Sequence, residues 1–145
     1  MEKCSGMAGI VRVEVVEDYA VERLRRLGGE VAVWLADGED WRELRCEAAE
    51  YEESGDSGDA VSRTLRCTIP IGQAELLSKI KEATQARWVA RVTDGRGERW
   101  IIGDDQEPLE LTWSRTNEGK AEGKDAVTVQ LSGEGRWGAT TEKMG

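Results

Sequence analysis

Histidine and phenylalanine are both absent from the 145 residues, proline occurs twice and cysteine three times. Without histidine there is no Ser-His-Asp or Cys-His nucleophilic site and no metal site built on imidazole. Cys4, Cys46 and Cys67 are an odd set without zinc-type spacing, so neither a disulfide framework nor a metal site is expected, and a reducing cytosolic compartment fits the chain. Cys46 and Cys67 lie in alternating apolar segments that can face each other across two strands, with free buried thiols as the expectation. No apolar run is long enough to span a bilayer, and residues 1–9 lack the apolar core of a secretion signal. Membrane partners are therefore not expected.

Basic residues are the scarcer sign of charge: 20 against 29 acidic, for a formal net charge of −9. Such a balance repels phosphate backbones and anionic lipid unless a basic patch is well segregated, so nucleic acid is not an expected ligand. Arg23, Arg25 and Arg26 form the one dense basic group, and Glu17, Asp18, Glu22 and Glu30 surround it, which reads as a solvated face. With no phenylalanine, six tryptophans supply the aromatic volume. Trp34, Trp88, Trp100 and Trp113 sit within strand patterns and are expected in the core. Trp41 and Trp137, beside turns, are the surface candidates.

The length suits a single domain over residues 1–145. Ile10-Val-Arg-Val-Glu-Val-Val16 alternates with period two and predicts a strand. Residues 17–27 read as a short helix or turn ended by Gly28-Gly29, and strand chemistry resumes at Val31-Ala-Val-Trp-Leu35. After the turn signal Asp37-Gly38, residues 39–53 read as one long strand. The loop Ser54-Gly-Asp-Ser-Gly-Asp59 then connects it, as a hairpin, to a second long strand from Val61 to Ile69, closed by Pro70. Ala74, Leu77 and Ile80, with Leu76 widening the stripe, predict a helix over 73–84. Residues 87–92 and 99–102 form the clearest hairpin, around Thr93-Asp-Gly-Arg-Gly-Glu98. Leu109, Leu111 and Trp113 share one strand face, and Val127-Thr-Val-Gln-Leu131 alternates again after a polar loop. Residues 1–9 and 134–145 read as flexible tails. The expected class is mainly β: an antiparallel sandwich or barrel of about seven to eight strands with one flanking helix.

Little in this pattern carries chemistry. A carboxylate pair remains as a possible glycosidase centre, yet almost every acid falls in a polar run or on an outward strand face. The acid clusters Glu52, Glu53, Asp56, Asp59 and Asp104, Asp105, Glu107 lack the spacing of an EF-hand and read as solvated loops. Gly133-Glu-Gly-Arg-Trp-Gly138 matches the letters of a dinucleotide fingerprint, but only residues 139–145 follow, too few for the helix and strand it requires. No catalytic residue, metal ligand, cofactor or small-molecule substrate is expected. Trp41, Trp137, Asp56 and Asp59 are the candidate protein-contact residues.

Beyond residue 40 or so the chain resembles small structural proteins of bacteriophages and prophages of the Bacteroidetes type, including ones from the tail module. The resemblance rests on Trp41-Arg-Glu-Leu, Thr64-Leu-Arg-Cys-Thr-Ile-Pro70, Arg99-Trp-Ile-Ile-Gly103 and Pro108-Leu-Glu-Leu-Thr-Trp113. It continues through Gly123-Lys-Asp-Ala126 and Val127-Thr-Val-Gln-Leu-Ser-Gly133. It implies a non-enzymatic virion part, tail-associated and tail-tube-like, made in the bacterial cytoplasm and joined to itself or other virion proteins partly through sheet edges. The competing expectation is an acidic binding module, such as an immunity protein or an inhibitor of a basic partner, which the charge would steer.

Overall fold

The computed structural model describes residues 7–55, 60–70, 82–116 and 126–143. Its strands are β1 (Ile10–Glu17), β2 (Val21–Leu27), β3 (Glu30–Leu35), β4 (Arg42–Glu43), β5 (Ala48–Gly55) and β6 (Val61–Pro70), followed by β7 (Arg87–Asp94), β8 (Arg99–Ile102), β9 (Leu109–Thr116), β10 (Ala126–Gly135) and β11 (Thr140–Glu142). A single 3-10 turn, Asp18–Ala20, joins β1 to β2. Among the described residues no helix is long and apolar enough to cross a membrane.

The β-rich class is as expected, and the described residues form eleven strands in one open mixed sheet. Its hydrogen-bonded order is β2-β3-β11-β8-β7-β9-β10-β6-β5, with β1 on β7 and β4 on β1. The pairing of β11 with β3 is parallel. The sheet forks at β7: β1 runs along it from Trp88 to Asp94, β8 pairs with Ala90 to Thr93, and β9 pairs with Arg87 and Trp88.

The fork lets the sheet fold over itself and bury β1, β7 and β8 on both faces. One face puts Val13, Val15, Ala90, Val92, Trp100 and Ile102 into the larger core, against Leu65, Leu109, Leu111, Val127, Val129 and Leu131. The other puts Val16, Val89 and Ile101 into a smaller core with Ala20, Val21 and Val31. Here the sequence runs Val15-Val16, Trp88-Val-Ala90 and Trp100-Ile-Ile102, the unbroken apolar composition of strands covered on two sides. By contrast β6 and β10 alternate, burying Leu65, Cys67 and Ile69 and Val127, Val129 and Leu131 from one face each.

Several expectations are corrected. Val21–Leu27 is a strand after a 3-10 turn, because Gly28 and Gly29, at φ 54° and 89°, form the two-residue turn of a hairpin in which Leu27 pairs with Glu30. The single long strand expected over 39–53 is two strands. β4 pairs with β1 and β5 pairs with β6, while the intervening segment crosses between them through Leu44 N–H to Val13 O (2.9 Å) and Glu47 N–H to Thr68 O (2.8 Å). The tail expected to be loose from residue 134 instead carries the end of β10 and all of β11, which pairs with both β8 and β3. Residues 7–9 are also held, by Ala8 N–H donating to Asp94 and Gly95 N–H to Gly9 O. The helix expected over 73–84 lies outside the described residues except at its end, where Glu82 and Ala83 are helical.

Candidate functional site

Most charged side chains that the fold buries are engaged in holding strands and turns. On the smaller-core side of β1 and β7, Glu14 sits across from Arg91 and accepts two guanidinium hydrogen bonds, each of 3.1 Å. Arg91 also lies 3.5 Å from Glu142 of β11, which pairs with Arg99 at 3.1 Å, and the ring of Trp41 stacks 4.7 Å from the Arg91 guanidinium. Both members of the Glu14–Arg91 pair are nearly closed to solvent, so the bidentate geometry, and not bare charge, makes the pair favourable. Replacing Glu14 by glutamine removes one of the two acceptors and the charge. Stability is expected to fall by about 2 kcal/mol, read from chemical denaturation midpoints.

Arg63 is fully buried at 0% exposure and points along the glycine-rich segment. Its guanidinium donates to three backbone carbonyls, Glu107 O (3.0 Å), Gly133 O (3.1 Å) and Trp137 O (3.4 Å). Burial draws its proton affinity down, and Tyr51, Asp104 and Glu107 oppose that shift. The glycines that imitate a nucleotide fingerprint are explained here. A Cβ on Gly135 would lie 2.7 Å from the Arg63 guanidinium, and one on Gly138 would lie 2.5 Å from the Glu53 carboxylate. That carboxylate accepts from Tyr51 Oη (2.9 Å) and from Ala139 N–H (3.0 Å). The motif is a packing device.

Asp104, from the second acid cluster, accepts from the N–H groups of Gln106 and Glu107 and pairs with Arg26 at 3.1 Å. Cys46 and Cys67 are adjacent free thiols. Cys46 donates to Leu44 O (3.0 Å). Interaction with the neighbouring thiol draws the pKa of Cys46 down, and the same interaction together with burial pushes that of Cys67 up.

The outward-facing chemistry collects at the two ends of the sheet. The basic group of β2 divides by strand alternation: Arg26 turns inward to Asp104 and Thr140, and Arg23 and Arg25 stay exposed on the outer face. Arg23 stacks 4.1 Å from the ring of Trp34, its cross-strand partner on β3. With Leu27, Ala32 and Lys143 these side chains line an open groove of about 340 Å³. At the opposite end, β5 turns Ala49, Tyr51 and Glu53 inward and presents Glu50 and Glu52, 73% and 60% exposed, on its outer face. Arg66 is shared between these two at 3.9 and 3.7 Å.

Of the candidate contact residues, Trp137 is 45% exposed with Arg26 stacked 4.7 Å from its ring, whereas Trp41 is half-buried against the smaller core. Asp56 and Asp59 lie outside the described residues. Trp88 and Trp100 are buried and Trp113 packs against the larger core, as expected. Trp34, expected in the core, is 40% exposed at the sheet end. Its sequence signal is the phase of the alternation: Val31, Val33 and Leu35 share the buried face, which leaves Ala32 and Trp34 on the other. The chain matches no family model, no curated protein sequence and no solved structure.

Proposed function

We propose that the chain is a non-enzymatic structural protein that works by assembling with copies of itself or with other structural proteins, in the setting of a phage or prophage virion and its tail. The observation that supports self-assembly is how the sheet ends. Among the described residues β2 pairs only with β3 and β5 only with β6, so each offers a row of backbone N–H and C=O groups to an incoming strand. The engagement of Glu14, Arg63, Arg91, Asp94 and Asp104 within the fold agrees with a scaffold role. The virion setting rests on the resemblance alone.

Sedimentation velocity and electron microscopy of the full chain, from dilute to concentrated, test this reading. Species of several subunits are expected to grow with concentration, and a strictly monomeric protein throughout would overturn it. The net charge of −9 favours a second reading, an acidic module that captures a basic protein. That reading requires recovery of one basic partner with an affinity that falls steeply as salt rises.

A further inference from the structure

Among the described residues the two long edge strands, β2 and β5, carry opposite charge at matching spacing. β2 exposes Arg23 and Arg25, two residues apart, on the sheet face that carries the larger core, and β5 exposes Glu50 and Glu52, also two residues apart, on the opposite face. Side chains two apart on a strand share a face, so the two pairs form rows of equal repeat. The start of β5, at Ala48 and Ala49, lies across a groove from Ile10 and Val11 of β1, and among the described residues, positions 50–55 of β5 pair only with β6.

We propose that the β2 edge of one copy adds in parallel to the β5 edge of another, with Arg23 and Arg25 across from Glu50 and Glu52, so that copies join head to tail in one continuing sheet. This rests on the self-assembly reading and names its interface. Setting aside the two-residue β4 beside β1, the two long edges allow three pairings between identical copies, and charge separates them. Run antiparallel, β2 against β2 sets arginine across from arginine and β5 against β5 sets glutamate across from glutamate, both unfavourable as direct cross-strand neighbours, and run parallel they put the like charges on opposite faces with no attraction between them. β2 against β5 sets opposite charges across from each other when the two strands run parallel, which turns the second copy over and brings the arginine face of one onto the glutamate face of the other. Arg66 can neutralise only one of the two carboxylates it lies between, so the β5 face keeps negative charge for a partner. Beside the arginines, Trp34 and Leu27 add exposed apolar surface that an added strand would cover. A head-to-tail contact of this kind is heterologous. It closes into a ring if the rotation between copies divides a full turn, and otherwise extends as a filament.

The test is charge exchange. R23E/R25E makes both ends acidic and E50R/E52R makes both ends basic, so each variant alone lacks a complementary pair and the equimolar mixture regains two. Each variant alone is expected to associate at least about tenfold more weakly than the wild type, and the mixture to recover association in alternating copies. The neutral variants R25Q and E50Q, milder for folding, are expected to fall between; circular dichroism confirms that each protein is folded. If the wild type assembles and the reversed or neutral variants assemble equally well alone, or the mixture recovers nothing, this interface is wrong while self-assembly stands. If the wild type itself stays monomeric, the self-assembly reading fails with it.

Discussion

Replacing Arg63 by methionine is expected to lower the stability of the fold by about 4 kcal/mol, because a side chain of similar length removes every donor from a fully buried position. The guanidinium ties β6 to Glu107, ahead of β9, and to Gly133 and Trp137 at and beyond the end of β10. Its loss leaves those carbonyls without the donor they face, at about 1–3 kcal/mol for each one that stays dry. Lysine is not a substitute, since one ammonium on a flexible stem cannot reproduce a planar fork aimed at three acceptors. The glycines supply an internal control. Gly135→Ala in the wild type pushes a methyl group into the guanidinium, whereas in the Arg63→Met background it meets a thinner and more pliant side chain. Chemical denaturation of the four proteins of this cycle should therefore show Gly135→Ala costing less in the variant background than in the wild type. A loss below about 1 kcal/mol for Arg63→Met would mean that water replaces the guanidinium, and the clamp would have to be abandoned.

The same clamp shows why parts of the fold were legible in the sequence and parts were not. Strands whose faces differ in polarity declare themselves locally, as β1, β9 and β10 do, and so does the β7–β8 hairpin, where Asp94 precedes two glycines and Gly97 takes a φ of 86°. β2 does not. It is an edge strand of Val-Glu-Arg-Leu-Arg-Arg-Leu with much of its surface in water, so its polar composition resembles that of a helix or turn; Gly28-Gly29 was the sounder signal. β11 is three residues long and owes its existence to β8 and β3, partners remote in sequence, so no local pattern announces it. The division of residues 39–53 has a similar origin. Period two holds from Leu44 to Cys46 and from Ala49 to Glu53, but its phase slips between Trp41 and Leu44 and between Cys46 and Ala49, where the partner changes from β1 to β6. At the sheet ends, the exposure of Arg23 and Arg25 was readable from charge. That they face outward beside Trp34, on one of two oppositely charged edges, depends on the sheet order, which sequence pattern does not encode.

Asp94→Asn is expected to cost about 3 kcal/mol at neutral pH, although it changes the side chain by a single group. The carboxylate is buried at the start of the hairpin turn and accepts four N–H donors. Oδ1 takes Arg96 N–H (2.9 Å) and Glu98 N–H (3.1 Å), and Oδ2 takes Trp100 Nε1–H (3.1 Å) and Ala8 N–H (3.2 Å). An asparagine retains one acceptor oxygen and turns an amide N–H2 toward the other pair of donors, so either the turn or the anchor for the N-terminal segment is lost. The charge gives this prediction a pH signature. Burial alone pushes the Asp94 carboxyl up, but hydrogen bonds from Trp100, Ala8, Arg96 and Glu98 outweigh it and hold the carboxyl below the ordinary carboxylate range. A folded-state pKa depressed in this way contributes stability that is complete above the unfolded value, near 4, and is lost as pH falls through the folded value. The stability gap between wild type and Asp94→Asn should therefore be widest at neutral pH and should narrow below about pH 4, as the wild-type carboxyl takes up its proton and itself becomes a poorer acceptor. Denaturation midpoints for both proteins at neutral and acid pH decide the matter. A gap independent of pH would show that shape alone, and not the anion, holds the β7–β8 turn to the start of the chain.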